Sequence, residues 1–270
     1  MAVTGFQQAI CRLIAGNRLE AGEAYVAGGV ALNLLTGGGR ISRDIDLFHD
    51  TLEALDATWR ADRKLLEEHG YELRFVHERP GYVEAVVGKG PEAVLMQWTR
   101  DSAFRFFPLV RHEDLGLVLH PFDLATNKVL ALAGRLEIRD WIDVITCHEQ
   151  LQPLGYLAWA ACGKDPGFSP LAILEEAGRC GRYTAGELEG LWFDGPRPDL
   201  PVLLRKWHSM LGEAREIIAA MPAEHVGECV LQRRGDLYRG GPAQLRQALA
   251  AGDLAFHTGS IRGAYPRLSD

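Results

Sequence analysis

Residues 25–48 constrain the fold of this chain more than any other stretch. The segment YVAGGVALNL runs a short apolar strand into Gly28 and Gly29 and then into a helix. The segment RISRDIDLF then places Asp44 and Asp46 two residues apart inside a second apolar strand. Because side chains alternate between the two faces of a strand, both carboxylates point the same way while their neighbours point into the core. The pattern therefore predicts an α/β unit with a polar site on one face of its sheet.

The two aspartates and the glycine pair together indicate phosphate chemistry. Two carboxylates on one face repel each other unless a cation lies between them, and Mg²⁺ (or Mn²⁺) suits such oxygen ligands. A glycine pair before a helix lets the backbone approach a ligand and aims N–H groups at an anion. Taken singly, each motif also fits a simpler explanation, an exposed edge strand or a tight turn. Together they supply what nucleotidyl transfer requires, a phosphate cradle and a metal site.

Hydrophobic periodicity predicts the order α-β-α-β-α-β-β-β over about residues 1–110 and a mostly helical remainder. Pro80-Gly81 predicts a turn between two of the strands. Residues 190–201 are the best internal break, and a small hairpin around Gly235 precedes a last helix. The predicted helices are 5–19, 30–35 and 52–69, and the predicted strands are 25–27, 45–48, 73–76, 83–87 and 94–98.

Composition is that of a folded protein, with 47% hydrophobic and 24% charged residues among 270. A net charge of -7 argues against a protein that coats nucleic acid non-specifically. No apolar run approaches the roughly 20 residues of a membrane helix, and the N-terminus has no secretory signal. The cysteines form no C-x-x-C pair, so we expect reduced, mostly buried thiols in a cytoplasmic protein. They are Cys11, Cys147, Cys162, Cys180 and Cys229.

The motifs resemble the AbiEii/AbiGii toxin-type nucleotidyltransferases, a branch of the polymerase-β-like nucleotidyltransferase superfamily. The resemblance is close over residues 25–48 and 123–143 and looser between them. It rests on a Gly-Gly-x-Ala-x-x-Leu motif, an Arg-x-Ser-x-Asp-Ile-Asp-Leu motif, and a basic helix followed by Arg-Asp-x-x-Asp. The matching residues are Gly28, Gly29, Ala31, Leu32, Arg40, Ser42, Asp44, Ile45, Asp46, Leu47, Lys128, Arg135, Arg139, Asp140 and Asp143.

The resemblance implies a role for each matching polar residue. Asp44 and Asp46 hold the metal, and Lys128 binds the triphosphate as a catalytic cation. Further nucleotide contacts are implied for Gly28, Gly29, Ser42, Arg43, Arg135 and Arg139. Asp140 is expected to orient Lys128 or Arg139 from behind, and Asp143 to hold the helix pair together.

Two departures from the family pattern bear on the site. The superfamily usually has Gly-Ser where this chain has Gly28-Gly29, so a hydroxyl contact to phosphate is missing or replaced by backbone. The superfamily also often carries a third carboxylate on a later strand, where this chain has Gln97. Either Asp101 completes the metal site from further along, the alternative we favour, or the site works with two carboxylates.

The basic helix allows two geometries. A continuous helix would align Lys128, Arg135 and Arg139 on one face, at positions i, i+7 and i+11. Alternatively Gly134 ends the helix near Arg135, and a second helix starts at Arg139-Asp140. On spacing alone, a solvated cationic stripe is the simpler explanation.

The expected protein has a nucleotidyltransferase-fold α/β domain, residues 1–115, and a mostly helical domain, residues 116–270, that completes the active site. The expected reaction is Mg²⁺-dependent transfer of a nucleoside monophosphate from an NTP to a hydroxyl. Family resemblance suggests the tRNA 3′ end or a protein as acceptor, and an antitoxin protein as partner. The alternatives are modification of a small molecule of the antibiotic type, and a catalytically inactive module that binds nucleotide or RNA.

Overall fold

The computed structural model describes residues 3–179 and 183–267. Contacts divide the chain into two compact units. The first comprises Met1–Ala103 and Pro108–His120, and the second comprises Phe104–Phe107 and Pro121–Asp270. The expectation of a reduced thiol at Cys180 falls outside the described residues, while the other four cysteines are free and buried, as predicted.

The first unit is built around a mixed sheet, and its elements follow the predicted order with additional short strands at residues 40–41, 110–112 and 116–118. Its helices are α1 (Gly5–Ala21), α2 (Gly28–Thr36) and α3 (Leu52–Glu68). The strands up to residue 118 are β1 (Ala24–Ala27), β2 (Arg40–Ile41), β3 (Asp44–His49), β4 (Glu72–Arg79), β5 (Tyr82–Lys89), β6 (Glu92–Arg100), β7 (Phe104–Arg105), β8 (Val110–His112) and β9 (Gly116–Val118). Of these, β7 belongs to the second unit.

Seven strands form the main sheet, in the order β4-β5-β6-β3-β1-β9-β8. The pairs β3–β6 and β1–β9 are parallel and the others antiparallel. One face of the sheet meets α1 and α3, where Trp59 of α3 lies 4.6 Å, centroid to centroid, from Trp98 of β6. Burial of these large rings anchors α3 against the sheet.

Local signals explain why the first helices start and stop where they do. Thr4 and Gln7 form a capping box at the start of α1, and Gly22 ends that helix with a φ of 69°. Thr51 caps α3 by accepting a hydrogen bond from the N–H of Ala54. The tight turn at Pro80-Gly81 is present as predicted, since β4 and β5 pair directly on either side of it.

The second unit is mostly helical, as predicted. Its helices are α4 (Pro121–Arg135), α5 (Ile138–Gln150), α6 (Leu154–Ala161), α7 (Pro170–Gly178), α8 (Ala185–Glu189), α9 (Leu200–Ala220) and α10 (Pro242–Ala251), with one 3-10 turn at Ala223–His225. Its later strands are β10 (Trp192–Phe193), β11 (Cys229–Gln232), β12 (Leu254–His257) and β13 (Ser260–Ile261). Among the described residues, no helix combines the length and apolar character of a membrane span.

The predicted small hairpin around Gly235 is present and short. The N–H of Gln232 donates to the carbonyl of Asp236, the N–H of Tyr238 donates to the carbonyl of Val230, and an antiparallel bridge joins Leu231 to Leu237 between them. The partner of β11 along its length is β12, which follows α10 in the chain. The sequence therefore located the hairpin but not the pairing of β11 with β12.

Candidate active site

The carboxylate pair lies on the more open face of the main sheet. Along β3, Ile45 and Leu47 are at most 1% exposed to solvent, while Asp44 and Asp46 are only half-buried. The alternation predicted from the sequence is therefore present, and both carboxylates share the face opposite the one that α3 covers.

The glycine turn and the carboxylate pair are in direct contact. Ala27, the last residue of β1, pairs with Asp46, and Gly28 begins α2 with a φ of 64°. A Cβ placed on Gly28 would lie 1.7 Å from Oδ2 of Asp46. Two reasons therefore require glycine at position 28. The backbone conformation disfavours other residues, and the Asp46 carboxylate fills the space that a Cβ would occupy.

The start of α2 has the character of an anion site. Its N-cap, Ala27, supplies no side-chain hydrogen bond, and no acidic residue lies in its first turn. The first N–H groups of a helix have no partner within the helix and carry partial positive charge. A phosphate held there would lie next to the Asp46 carboxylate, where a divalent cation could bridge the two.

Ser42 and Arg40 flank the second glycine. A Cβ on Gly29 would lie 2.5 Å from Nη2 of Arg40 and 2.7 Å from Oγ of Ser42. Ser42 is held in place through its carbonyl, which accepts a 2.7 Å hydrogen bond from Nε2 of Gln7. The space that a serine side chain at position 29 would occupy is therefore filled by a hydroxyl and a guanidinium from the β2–β3 region. Arg43, the remaining predicted nucleotide contact of this segment, is exposed.

The structure does not bring Asp101 to the carboxylate pair. Its N–H donates to the carbonyl of His49 at the far end of β3, and its side chain accepts from the N–H of Ser102. At about 3.3 Å per residue, that position is roughly 13 Å along the strand from Asp46. A supporting role for Asp101 at the metal is excluded by this distance.

Gln97 instead occupies the position beside Asp46. The two are partners in the parallel β3–β6 pair, and Gln97 is also the partner of Glu84 on β5. Its Nε2 donates a 2.9 Å hydrogen bond to Oε1 of Glu84, which is only 8% exposed. The sequence analysis missed Glu84. A tight turn between Lys89 and Glu92 joins two antiparallel strands, and counting five residues back from Lys89 and five forward from Glu92 places residue 84 opposite residue 97.

The acids on this face form no cluster of three around one point. Within residues 3–179 and 183–267, no group of three or more His, Cys, Asp or Glu side chains is arranged to hold a metal ion. The two aspartates can still hold one, since Mg²⁺ is commonly bound by one or two carboxylates together with substrate phosphates and water. The pair and the adjoining helix start fit this kind of site.

The predicted basic helix is broken, and the break creates an ion-pair cluster in the second unit. Helix α4 ends at Arg135, Leu136 takes a φ of 54°, and α5 begins at Ile138. The continuous helix with three aligned cations is therefore wrong, and the two-helix alternative is the observed one. Gly134 lies inside α4, so Leu136 rather than the glycine supplies the left-handed residue.

Lys128 lies between two fully buried carboxylates. Its Nζ is 2.9 Å from Oδ1 of Asp140 and 3.1 Å from Oδ2 of Asp143. Asp140 also accepts from Arg135, at 2.6 and 3.0 Å. Burial by itself would raise the pKa of Asp140, but the hydrogen bond from Arg135 and the charge of Lys128 hold it below its ordinary value.

Two further contacts complete the cluster. Asp143 binds Lys128 directly, so it is a charge partner as well as a link between the helices. Nε of Arg139 lies 2.6 Å from Oε2 of Glu137. Lys128 and Arg135 supply the positive charge beside the two buried aspartates.

Three solved structures share this architecture. A Helicobacter pylori protein described as a candidate nucleotidyltransferase matches at a TM-score of 0.50 and 15% identity, over 79% of this chain and 96% of its own. JHP933, also from Helicobacter pylori, matches at 0.50 and 15%, over 78% and 91%. MenT4, a nucleotidyltransferase toxin from Mycobacterium tuberculosis, matches at 0.53 and 13%, over 81% and 83%. The chain therefore has a nucleotidyltransferase fold of the kind seen in that toxin.

Sequence comparison adds no closer relative. The chain matches no protein-family profile and no curated protein sequence. The likeness is one of fold, and the chemistry must be argued from the residues of this chain.

Proposed function

We propose that this protein is a nucleotidyltransferase that moves a nucleoside monophosphate from an NTP to an acceptor hydroxyl. The observation that carries the proposal is the contact between Gly28 and Asp46. It puts a helix start suited to phosphate and a carboxylate suited to a divalent cation at one point of the sheet. The fold shared with MenT4 supports the same class of reaction.

In the proposed reaction, the acceptor oxygen forms a bond to the α-phosphorus while the bond from that phosphorus to the bridging oxygen breaks. Pyrophosphate leaves with the bonding electrons, and the proton of the hydroxyl passes to water. Asp44 and Asp46 would hold Mg²⁺ (or Mn²⁺), which neutralises phosphate charge when bound. The first N–H groups of α2, with Ser42 beside them, would orient the triphosphate.

The roles of the basic residues belong to the same proposal. Lys128 would stabilise the triphosphate, and Asp140 and Asp143, which lie 2.9 and 3.1 Å from its Nζ, would fix its position. Arg135, Arg139 and Arg43 would contact phosphate or acceptor. The acceptor would be RNA, with the tRNA 3′ end as the first candidate, or a protein hydroxyl. A toxin function in the cytoplasm, restrained by an antitoxin protein, follows from the same family resemblance.

The test is label transfer from each α-³²P-labelled NTP to total RNA and to total protein, with Mg²⁺ present. The wild type is compared with Asp46→Asn and with Asp101→Asn, a matched control at the far end of the same strands. We expect labelling with the wild type and the control, and a loss of about 10³-fold or more with Asp46→Asn. Equal labelling by all three proteins would contradict the proposal.

A nucleotide-binding protein without turnover is the second candidate, and Gln97 is the observation that favours it. Replacing a carboxylate by an amide lowers the negative charge available to metals. Such a protein would bind NTP equally well with Mg²⁺ and with a chelator, and would label nothing. Mg²⁺-dependent NTP binding without labelling of RNA or protein would instead indicate a small-molecule acceptor.

A further inference from the structure

The three neighbouring strands β3, β6 and β5 carry one continuous polar row. Asp46 pairs with Gln97, and Gln97 pairs with Glu84, so all three side chains project from the same face. Adjacent strands lie about 4.8 Å apart, which puts Gln97 within reach of both acids. The amide of Gln97 therefore lies between Asp46 and the buried glutamate in this row.

The hydrogen bond to Glu84 fixes which end of the amide faces which acid. The Gln97 nitrogen carries the donors and a carboxylate oxygen accepts, so nitrogen is turned to β5. The amide oxygen is therefore not the atom that contacts Glu84. Without Glu84, a glutamine beside an aspartate would donate to it and hide that oxygen.

Glu84 is itself held firmly enough to impose this orientation. It is 8% exposed, and its Oε1 accepts the hydrogen bond from Gln97. Nε2 of His77, the next residue in the row on β4, lies 3.8 Å from its other oxygen. A carboxylate with a polar neighbour on each side and little solvent has few other positions to adopt.

We propose that the side-chain oxygen of Gln97 is the third protein ligand of the divalent cation held by Asp44 and Asp46, and that Glu84 positions it. The inference rests on the proposed function, since it concerns the same metal. Amide oxygens are suitable ligands for Mg²⁺ and Mn²⁺. The site then has two negative charges instead of three, so the cation binds weakly alone and tightly only with the triphosphate.

The experiment is direct Mn²⁺ binding, measured by electron paramagnetic resonance with and without a non-hydrolysable NTP analogue. Gln97→Leu removes the oxygen and Glu84→Met removes its positioning group. We expect the Kd for Mn²⁺ in the presence of the analogue to rise about tenfold in each variant, as for other losses around a metal. Glu92→Gln, an exposed change at the start of β6, is the matched control and is expected to bind as the wild type does.

An exchanged pair tests the orientation argument even if a single variant fails to fold. In Glu84→Gln/Gln97→Glu, the amide at 84 donates to the carboxylate at 97, so the hydrogen bond and the composition are kept. The third ligand becomes charged, and we expect the Kd for Mn²⁺ without nucleotide to fall by about tenfold. Unchanged binding in both Gln97→Leu and the exchanged pair would overturn the inference.

The same measurements separate this inference from the proposed function. If Asp46→Asn abolishes Mn²⁺ binding while the Gln97 variants bind as the wild type does, the inference fails and the metal site remains. If the wild type binds no Mn²⁺ with or without the analogue, the proposed function fails and the inference with it.

Discussion

Two pairs of aspartates, one on a strand and one on a helix, lie in opposite surroundings. Asp44 and Asp46 are half-buried on a strand, two residues apart, with their side chains on one open face. Asp140 and Asp143 are fully buried on a helix, three residues apart, and both lie within 3.1 Å of Lys128. The residue type is the same, and the surroundings decide what each pair does.

The helical pair is buried and has cationic partners within its own unit. Burial of a carboxylate costs several kcal/mol unless a charge partner and hydrogen bonds compensate it. Lys128 and Arg135 supply that compensation from the helix before, so the cluster joins α4 to α5 across the break at Leu136. Its charges are satisfied within the second unit, which suits a fixed scaffold.

The strand pair lies beside a helix start that suits a phosphate. Its nearest fixed neighbour is the start of α2, where Gly28 leaves room for the carboxylate of Asp46 and where helix N–H groups favour anions. Half-exposed carboxylates beside an anion site gain most from a cation that brings phosphate with it. The two pairs therefore differ in their surroundings: the helical pair is buried against lysine and arginine, and the strand pair lies on an open face beside a helix start.

The largest expected change in stability follows from removing the lysine that contacts the helical pair. Lys128→Met should lower the free energy of unfolding by about 3–5 kcal/mol, because two buried carboxylates lose their shared ammonium. Urea unfolding measures this. Lys206→Met is the control, since it breaks only a partly exposed pair with Glu149 and should cost less than about 1 kcal/mol. Equal losses in the two variants would mean that the buried cluster is not structural.

A smaller loss is expected where the strand pair meets the helix. Gly28→Ala places a methyl group against Asp46 and forces alanine to a φ of 64°, at a cost of about 2 kcal/mol. Combining it with Asp46→Ala removes the contact but not the backbone strain, so about half of the loss should return. Thermal unfolding of the two single variants and the double variant measures the coupling. No recovery in the double variant would show that strain alone makes this glycine necessary.

Acid should affect the helical pair in a defined window. The pKa of Asp140 is lowered in the folded state from its ordinary value of 3.8, so its stabilising effect is complete above that pH. It is lost as the pH falls through the lower, folded value. Unfolding by urea at a series of pH values should show this loss in the wild type and a shallower one in Asp140→Asn. Parallel curves for the two proteins would contradict the assignment.

How far the sequence predicted the molecule depends on the range of the interaction. The faces of Asp44 and Asp46 and the helix after Gly28 follow from periodicity within a few residues, and these are correct. The break between α4 and α5 was left open because Leu136 is not a residue type that signals a left-handed conformation. The proposed role of Glu84 depends on two pairings. Glu84 opposite Gln97 follows from the turn between Lys89 and Glu92, but Gln97 beside Asp46 needs the parallel pairing of β3 with β6, which joins segments about 50 residues apart and leaves no local pattern.

The smallest predicted effect concerns the strand pair. Asp44 is half-exposed on β3, and polar contacts of partly exposed side chains contribute less than about 1 kcal/mol. Asp44→Asn should therefore change the free energy of unfolding by less than that amount. The matched change Asp143→Asn should destabilise the protein more, because Lys128 loses a buried partner. Urea unfolding of the two variants measures the difference. Equal losses of stability would mean that the strand pair, like the helical one, is held by the fold itself.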